Sequence, residues 1–157
     1  MADYVLERRF WVPRPRLEVF ELFADVRNLS RMNPPSASLR WLRAPPARID
    51  AGTVLDFSSR LLGIPVRWRV MIREFDPPHN FVDAQLRGPF SRWEHRHRFL
   101  EGPAGDGAGP VGTWVEDRVT YRPPLGPLGQ LAHALGGRRM IAGIFDYRER
   151  RIRELLG

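Results

Sequence analysis

Gly88-Pro89-Phe90-Ser91-Arg92-Trp93-Glu94-His95-Arg96-His97-Arg98-Phe99 is the stretch from which the rest of the chain is read. Side chains alternate between the two faces of a strand, so Trp93, His95, His97 and Phe99 share one face, and Arg92, Glu94, Arg96 and Arg98 share the other. The charged face belongs in water. The aromatic–histidine face then points inward and sets two imidazoles against an interior. A second run, Thr113 to Tyr121, repeats the pattern: Thr113, Val115, Asp117, Val119 and Tyr121 lie on one face, and the apolar members mark it as buried. Asp117 sits among them. Buried polar groups require partners, so this sheet is expected to line more than a plain apolar core.

Working outward, Tyr4 to Trp11 reads as a first strand ended by Pro13 and Pro15. Leu17 to Phe23 forms a short amphipathic helix with Val19, Phe20 and Phe23 on one stripe. Asp25 or Asn28 caps a second short helix near Val26 to Met32, stopped by Pro34-Pro35. Strands follow at Leu39 to Arg43, Thr53 to Leu62, Val66 to Phe75, Asn80 to Arg87, the histidine run, and Thr113 to Tyr121. Gly102 to Gly112 reads as a flexible loop. From Pro127 the spacing is helical, with Leu128, Leu131, Leu135, Ile141, Ile144, Phe145, Arg148, Ile152 and Leu155 on the expected covering stripe and Gly136-Gly137 bending it. Closely spaced strands build an antiparallel meander, and only the long last helix can cover its apolar face. The fold class is therefore α+β, one domain over residues 1–157: a curved sheet of about seven strands gripping a C-terminal helix.

Composition excludes several function classes. There is no cysteine, hence no disulfide and no thiolate metal site. No apolar run reaches membrane-spanning length, so stable membrane insertion is not expected. The first residues carry no basic-then-apolar leader pattern, and a cytoplasmic location is the expectation. The net charge of +7 invites a nucleic-acid reading. However, all 25 basic residues are arginine, spread along the chain and interleaved with acids, so no nucleic-acid partner is expected.

Within the candidate site, His95 and His97 have the types for acid–base chemistry, ligand hydrogen bonding or, with a carboxylate such as Asp117, metal ligation. Asp117 can orient an imidazole. Two readings compete at Asp83 and Gln85. Val82, Ala84 and Leu86 claim the buried face by periodicity. A three-residue loop at Gly88-Pro89-Phe90, pairing Arg87 with Ser91, instead sets Gln85 opposite Trp93 and Asp83 opposite His95, which turns both inward; this second reading is adopted. Phe57, Trp68 and Phe145 are aromatics expected to meet a ligand, alongside Trp93, Phe99 and Tyr121. Arg148, if inward, neutralises a ligand carboxylate or pairs with Asp83 or Asp117.

The motifs Phe81-x-Asp83-x-Gln85-x-x-Gly88-Pro89-Phe90-x-x-Trp93-x-His95-x-His97-x-Phe99, Gly112-Thr113-x-x-x-Asp117-x-Val119-x-Tyr121-x-x-Pro124-x-Gly126 and Phe145-x-Tyr147-Arg148 resemble the START/Bet v 1-like (SRPBCC) helix-grip superfamily. Within it they resemble the bacterial branch grouped as polyketide cyclase/dehydrase and lipid transport. That resemblance implies a deep, largely apolar ligand cavity between sheet and helix, with no cofactor and no metal. Its members include both carriers and enzymes, so fold alone does not choose between them. The expectation is a monomer or homodimer binding a lipid, polyketide, quinone or isoprenoid. The alternative is a cyclase/dehydratase- or hydrolase-type enzyme using His95, His97 and Asp117. A third reading is an interaction module whose arginine-rich outer face meets an acidic partner.

Overall fold

The structure, a computed structural model, describes residues 2–105 and 107–157. Seven strands form one antiparallel sheet in the order β1-β7-β6-β5-β4-β3-β2. They are β1 (Tyr4–Val12), β2 (Arg40–Trp41), β3 (Val54–Leu61), β4 (Ile64–Asp76), β5 (Asn80–Arg87), β6 (Arg92–Pro103) and β7 (Val111–Arg122). Strands β2 to β7 pair in sequence order, and β1 joins the far edge against β7. Helix α1 (Arg16–Ala24) follows β1, and a 3-10 turn (Val26–Asn28) runs into α2 (Leu29–Met32). Asp25 caps that turn by accepting a hydrogen bond from the Arg27 amide. The expected loop 102–112 is shorter than read, because β6 and β7 extend through Pro103 and Val111; its Asp106 lies outside the described residues.

Local chemistry sets the turns and the curvature. Leu62 and Gly63 have φ of 53° and 76° and join Leu61 to Ile64, the two-residue geometry whose twist suits a hairpin. The β4–β5 register shifts at Arg69/Val70 and again at Ile72/Glu74. Such irregularities bend a strand and sharpen its twist.

The conflict over β5 has a physical resolution. Asp83 lies opposite His95 and faces inward, yet Val82 and Ala84 are also buried. Val82 sits in register between Glu74 and Arg96, and those two form a 2.9 Å ion pair across it. Ala84 lies between Met71 and Glu94, and Glu94 accepts from Arg73 at 3.1 Å. The outer ion pairs roof small apolar residues, so a solvent-side face carries a core-like pattern.

The chain ends in a continuous helical run made of α3 (Gly126–Ala132), a π-helical turn (His133–Gly137) and α4 (Arg138–Leu156). In α4, Ile141, Phe145, Arg148, Ile152 and Leu156 form the buried stripe. Leu128, Leu131 and Leu135, expected on that stripe, are instead exposed, as is Leu125. The π turn supplies the reason. Its additional residue rotates the preceding turns by roughly 100° relative to a plain α-helix, which brings Gly129 and His133 into line with Ile141 and Phe145. Gly129 then packs so closely that a Cβ would overlap the Pro124 carbonyl. The leucines face out.

Core packing divides around the helix. Phe10, Val12, Phe20, Phe23, Phe99 and Ile152 fill one end beneath α1. Leu55, Trp68, Val70 and Ile72 carpet β3 and β4. Val119, Tyr121, Ile141 and Phe145 join β7 to α4. Between these clusters the sheet and helix do not close completely.

Candidate functional site: a histidine–aspartate wall in an internal cavity

Three adjacent strands build the polar wall: β7 supplies Asp117, β6 supplies His95 and His97, and β5 supplies Asp83. In register, Asp117 is opposite His97 and Asp83 is opposite His95. The hydrogen bonds run diagonally. Asp117 Oδ1 lies 2.8 Å from His95 Nε2, and Asp83 Oδ2 lies 2.8 Å from His97 Nε2. Asp117 Oδ1 is also 3.2 Å from His97 Nδ1. That approach is off the line of a hydrogen bond, leaving His97 Nδ1 without one, so it acts as a contact between charges. The imidazoles stack at 3.7 Å between centroids. Phe81 stacks on His97 at 4.2 Å, and the Phe145 ring stands edge-on to His95 at 5.4 Å.

Burial and neighbours set the charge of each group. For His95, burial and the charge of His97 outweigh the pull of Asp117 and push the imidazole pKa down. Burial acts the same way on His97, but two carboxylates, Asp117 and Asp83, overcome it and raise the pKa. Burial would raise both aspartates, and the imidazoles reverse this: Asp117 is held far below the usual carboxylate range, and Asp83 is lowered. The wall is thus two carboxylates flanking His97, which holds its proton more tightly than an ordinary imidazole, with a His95 that favours the neutral form. A carboxylate only accepts, so neutral His95 donates its Nε2 proton to Asp117 and keeps Nδ1 as the basic nitrogen.

A cavity of about 170 Å³ lies against this wall. Asp83, His95, His97 and Trp93 line it, with Phe57, Trp68 and Phe145 supplying much of the apolar surface. Asp117 stands behind the histidines and acts through them. Arg148, from α4, closes the opposite side.

Asp117, expected at the ligand itself, is thus one step removed from the cavity, and three other residues expected there are placed elsewhere. Gln85 is consumed by its own hairpin: its amide nitrogen donates to the Phe90 carbonyl at 2.7 Å, and its oxygen accepts from the Phe90 amide at 3.2 Å. Ladder pairing of β5 with β6 accordingly stops at Ala84–Glu94, short of the expected Gln85–Trp93 and Arg87–Ser91 pairs; Ser91 donates instead to the Arg122 carbonyl. Phe99 is 1% exposed and locked in the aromatic cluster with Phe20, Phe23 and Phe81. Tyr121 pairs its hydroxyl with His133 Nε2 at 2.6 Å, away from the cavity.

Two buried polar groups went unread, one in the cavity and one outside it. Ser59 lines the cavity and accepts from Trp68 Nε1 at 3.0 Å; the alternation Leu55, Phe57, Ser59, Leu61 carried the signal. His133, stacked on Tyr4 at 3.9 Å, is buried by the π turn, which the sequence spacing conceals.

Asp83, His95 and His97 are also the group whose ligand atoms could surround a cation, all within 4.8 Å of one another. The geometry favours protons. His97 Nε2 and Nδ1 each already face a carboxylate oxygen, and the Arg148 charge bears on Asp83 and Asp117.

A curved antiparallel sheet gripping a C-terminal helix, with an apolar cavity and a buried polar wall between them, defines a protein of the helix-grip fold. The chain belongs to the polyketide cyclase / dehydrase and lipid transport family, whose sequence profile matches residues 12–143. Among solved structures it is similar to TTHA0849 from Thermus thermophilus, at 22% identity and TM-score 0.73 over 96% of this chain and 95% of that one. A START superfamily protein from Mycobacterium smegmatis matches at 12% identity and TM-score 0.70, covering 97% and 96%. The Zhui aromatase/cyclase from Streptomyces sp. R1128 matches at 15% identity and TM-score 0.66, covering 98% and 96%. At these identities the likeness is one of fold. No curated protein shows significant similarity. No helix among the described residues is long and apolar enough to cross a membrane.

Proposed function

We propose that this protein binds one small apolar or amphipathic molecule, of lipid, polyketide, quinone or isoprenoid character, in the cavity between sheet and helix. The observation that carries this reading is the pairing of an aromatic-lined space with a single polar wall. Apolar walls supply affinity, and a few placed polar groups fix orientation. Size narrows the ligand. A cavity of roughly 150 Å³ accommodates benzene, so about 170 Å³ admits a ring or a short branched chain.

An enzymatic reading is favoured by one feature. His95 is kept neutral and held in one tautomer by a buried carboxylate, the arrangement of a general base oriented for proton abstraction. Substrate acidity beside a carbonyl, as in cyclisation or dehydration, is the chemistry it suits. The two readings separate on His95→Gln, which should preserve binding and abolish turnover only in an enzyme.

Trp68 and Trp93 report on the cavity directly. Titration with 1-aminoanthracene should give saturable one-to-one energy transfer from these tryptophans. Ile141→Trp, which fills cavity space, should abolish it while the protein still unfolds cooperatively. Equal probe binding by the filled variant would count against the cavity.

A further inference from the structure

Arg148 is the arginine buried within the fold, 8% exposed on the inner stripe of α4. Among the described residues it has no carboxylate partner in hydrogen-bond or ion-pair contact. Its Nε makes no hydrogen bond, and no ion pair engages its guanidinium among the described residues. Its charge lies 5.5 Å from the Phe145 ring centroid. The outer arginines differ: Arg69 bonds Asp56 at 2.8 Å, Arg96 bonds Glu74 at 2.9 Å and Arg92 bonds Asp3 at 2.6 Å. A guanidinium withdrawn from water without a partner is costly, so its retention beside the cavity calls for a purpose.

The nearby carboxylates do not supply one directly. Asp83 and Asp117 offset the Arg148 charge at a distance, but their short contacts go to His97 and His95. His97 is enclosed by those two carboxylates, one at each ring nitrogen. Arg148 is the cation left open to the cavity that it lines. Its planar fork of donors matches a carboxylate in a way a point charge does not.

We infer that Arg148 is the receptor for an anionic group, a carboxylate above all, on the molecule that fills the cavity. The ligand is then a monoanionic amphiphile with a ring-sized apolar body packed among Phe57, Trp68, Trp93 and Phe145. This inference rests on the cavity-binding reading and narrows its ligand class. It differs from a role for Arg148 as a mere counter-charge to Asp83 and Asp117, which would show no preference among ligands.

The test uses two matched probes, 3-phenylpropanoate and 3-phenylpropan-1-ol, titrated calorimetrically into the intact chain at pH 7. The wild type should bind the carboxylate about tenfold or more tightly than the alcohol, as expected for a charge-assisted bidentate contact. Arg148→Gln should bring the two affinities together by weakening the carboxylate alone. Arg148→Lys, which keeps the charge without the fork, should fall between them. Equal affinities in the wild type overturn the inference with no need of any variant, and leave cavity binding standing. Equal weakening of both probes in Arg148→Gln, with a lowered Tm, assigns the residue to structure instead. Failure of both probes to bind the wild type removes the cavity reading and this inference with it.

Discussion

Replacing Asp117 by Asn removes one charge at the centre of the histidine wall and almost no volume. Its side chain and that of His97 are each 5% exposed, and its Oδ1 serves His95 at 2.8 Å and faces His97 at 3.2 Å. Asparagine still offers an oxygen to His95 Nε2, so that bond survives. What is lost is a charge that favours protonated His97, and breaking a buried charge pair costs about 3–5 kcal/mol. The retained bond sets the expectation at the lower end, about 3 kcal/mol. With about 2.1 cal/mol/K of unfolding entropy per residue, a chain of this length loses about 9 °C of Tm for that cost. Calorimetry at pH 7 measures the shift, and NMR titration of the His97 ring should show its pKa falling. The gap between variant and wild type should narrow below about pH 4, where the unfolded wild-type chain protonates Asp117 and that residue's contribution fades. A Tm within about 2 °C of wild type, together with an unchanged His97 titration, would refute the reasoning.

The opposite shifts of His95 and His97 should place a stability maximum near pH ~6.5, the unperturbed imidazole value. The contribution of His97 is complete below that pH and is lost as pH rises through its raised folded value. That of His95 is complete above it and is lost as pH falls toward its lowered folded value. Tm measured against pH should therefore decline on both sides, and His97→Asn should flatten the alkaline limb. Gly129→Ala should destabilise strongly or prevent folding, since its Cβ meets the Pro124 backbone; Gly143→Ala, with open space around it, should gain about 0.5–1 kcal/mol in the same denaturation assay. Leu128→Ser, Leu131→Ser and Leu135→Ser should each change stability by about 0.5 kcal/mol or less, whereas Ile141→Ala should cost about 2–4 kcal/mol in urea unfolding.

The fold was legible because its signals are local. Strand alternation at Val66–Ile72 and Trp93–Phe99, the short turns and the one long helix determine an antiparallel meander and its cover. The inward direction of His95, His97 and Asp117 followed from the same alternation, and Asp83 followed from hairpin counting. What escaped depends on contacts that do not repeat with a period. The π turn shifts helix phase by one residue, so the spacing of Leu128, Leu131 and Leu135 promised burial that Gly129 and His133 receive instead. Val82 looked inward because ion pairs on the outer face cover it. Gln85 has the residue type for a ligand contact, but its amide closes the loop at Phe90, three residues before the Trp93 that register alone would set opposite it. Phe99 and Tyr121 share the cavity-facing side of the sheet, and only the placement of α1 and His133 decides that they pack elsewhere.

The central claim is that an apolar molecule occupies the space between sheet and helix. Native mass spectrometry tests it most directly, on the purified wild type and on Ile141→Trp, each as isolated and after incubation with 1-aminoanthracene. The account expects a one-to-one adduct on the wild type, released on denaturation and absent from the filled variant. No adduct on the wild type even with millimolar probe, or the same adduct on both proteins, would contradict it.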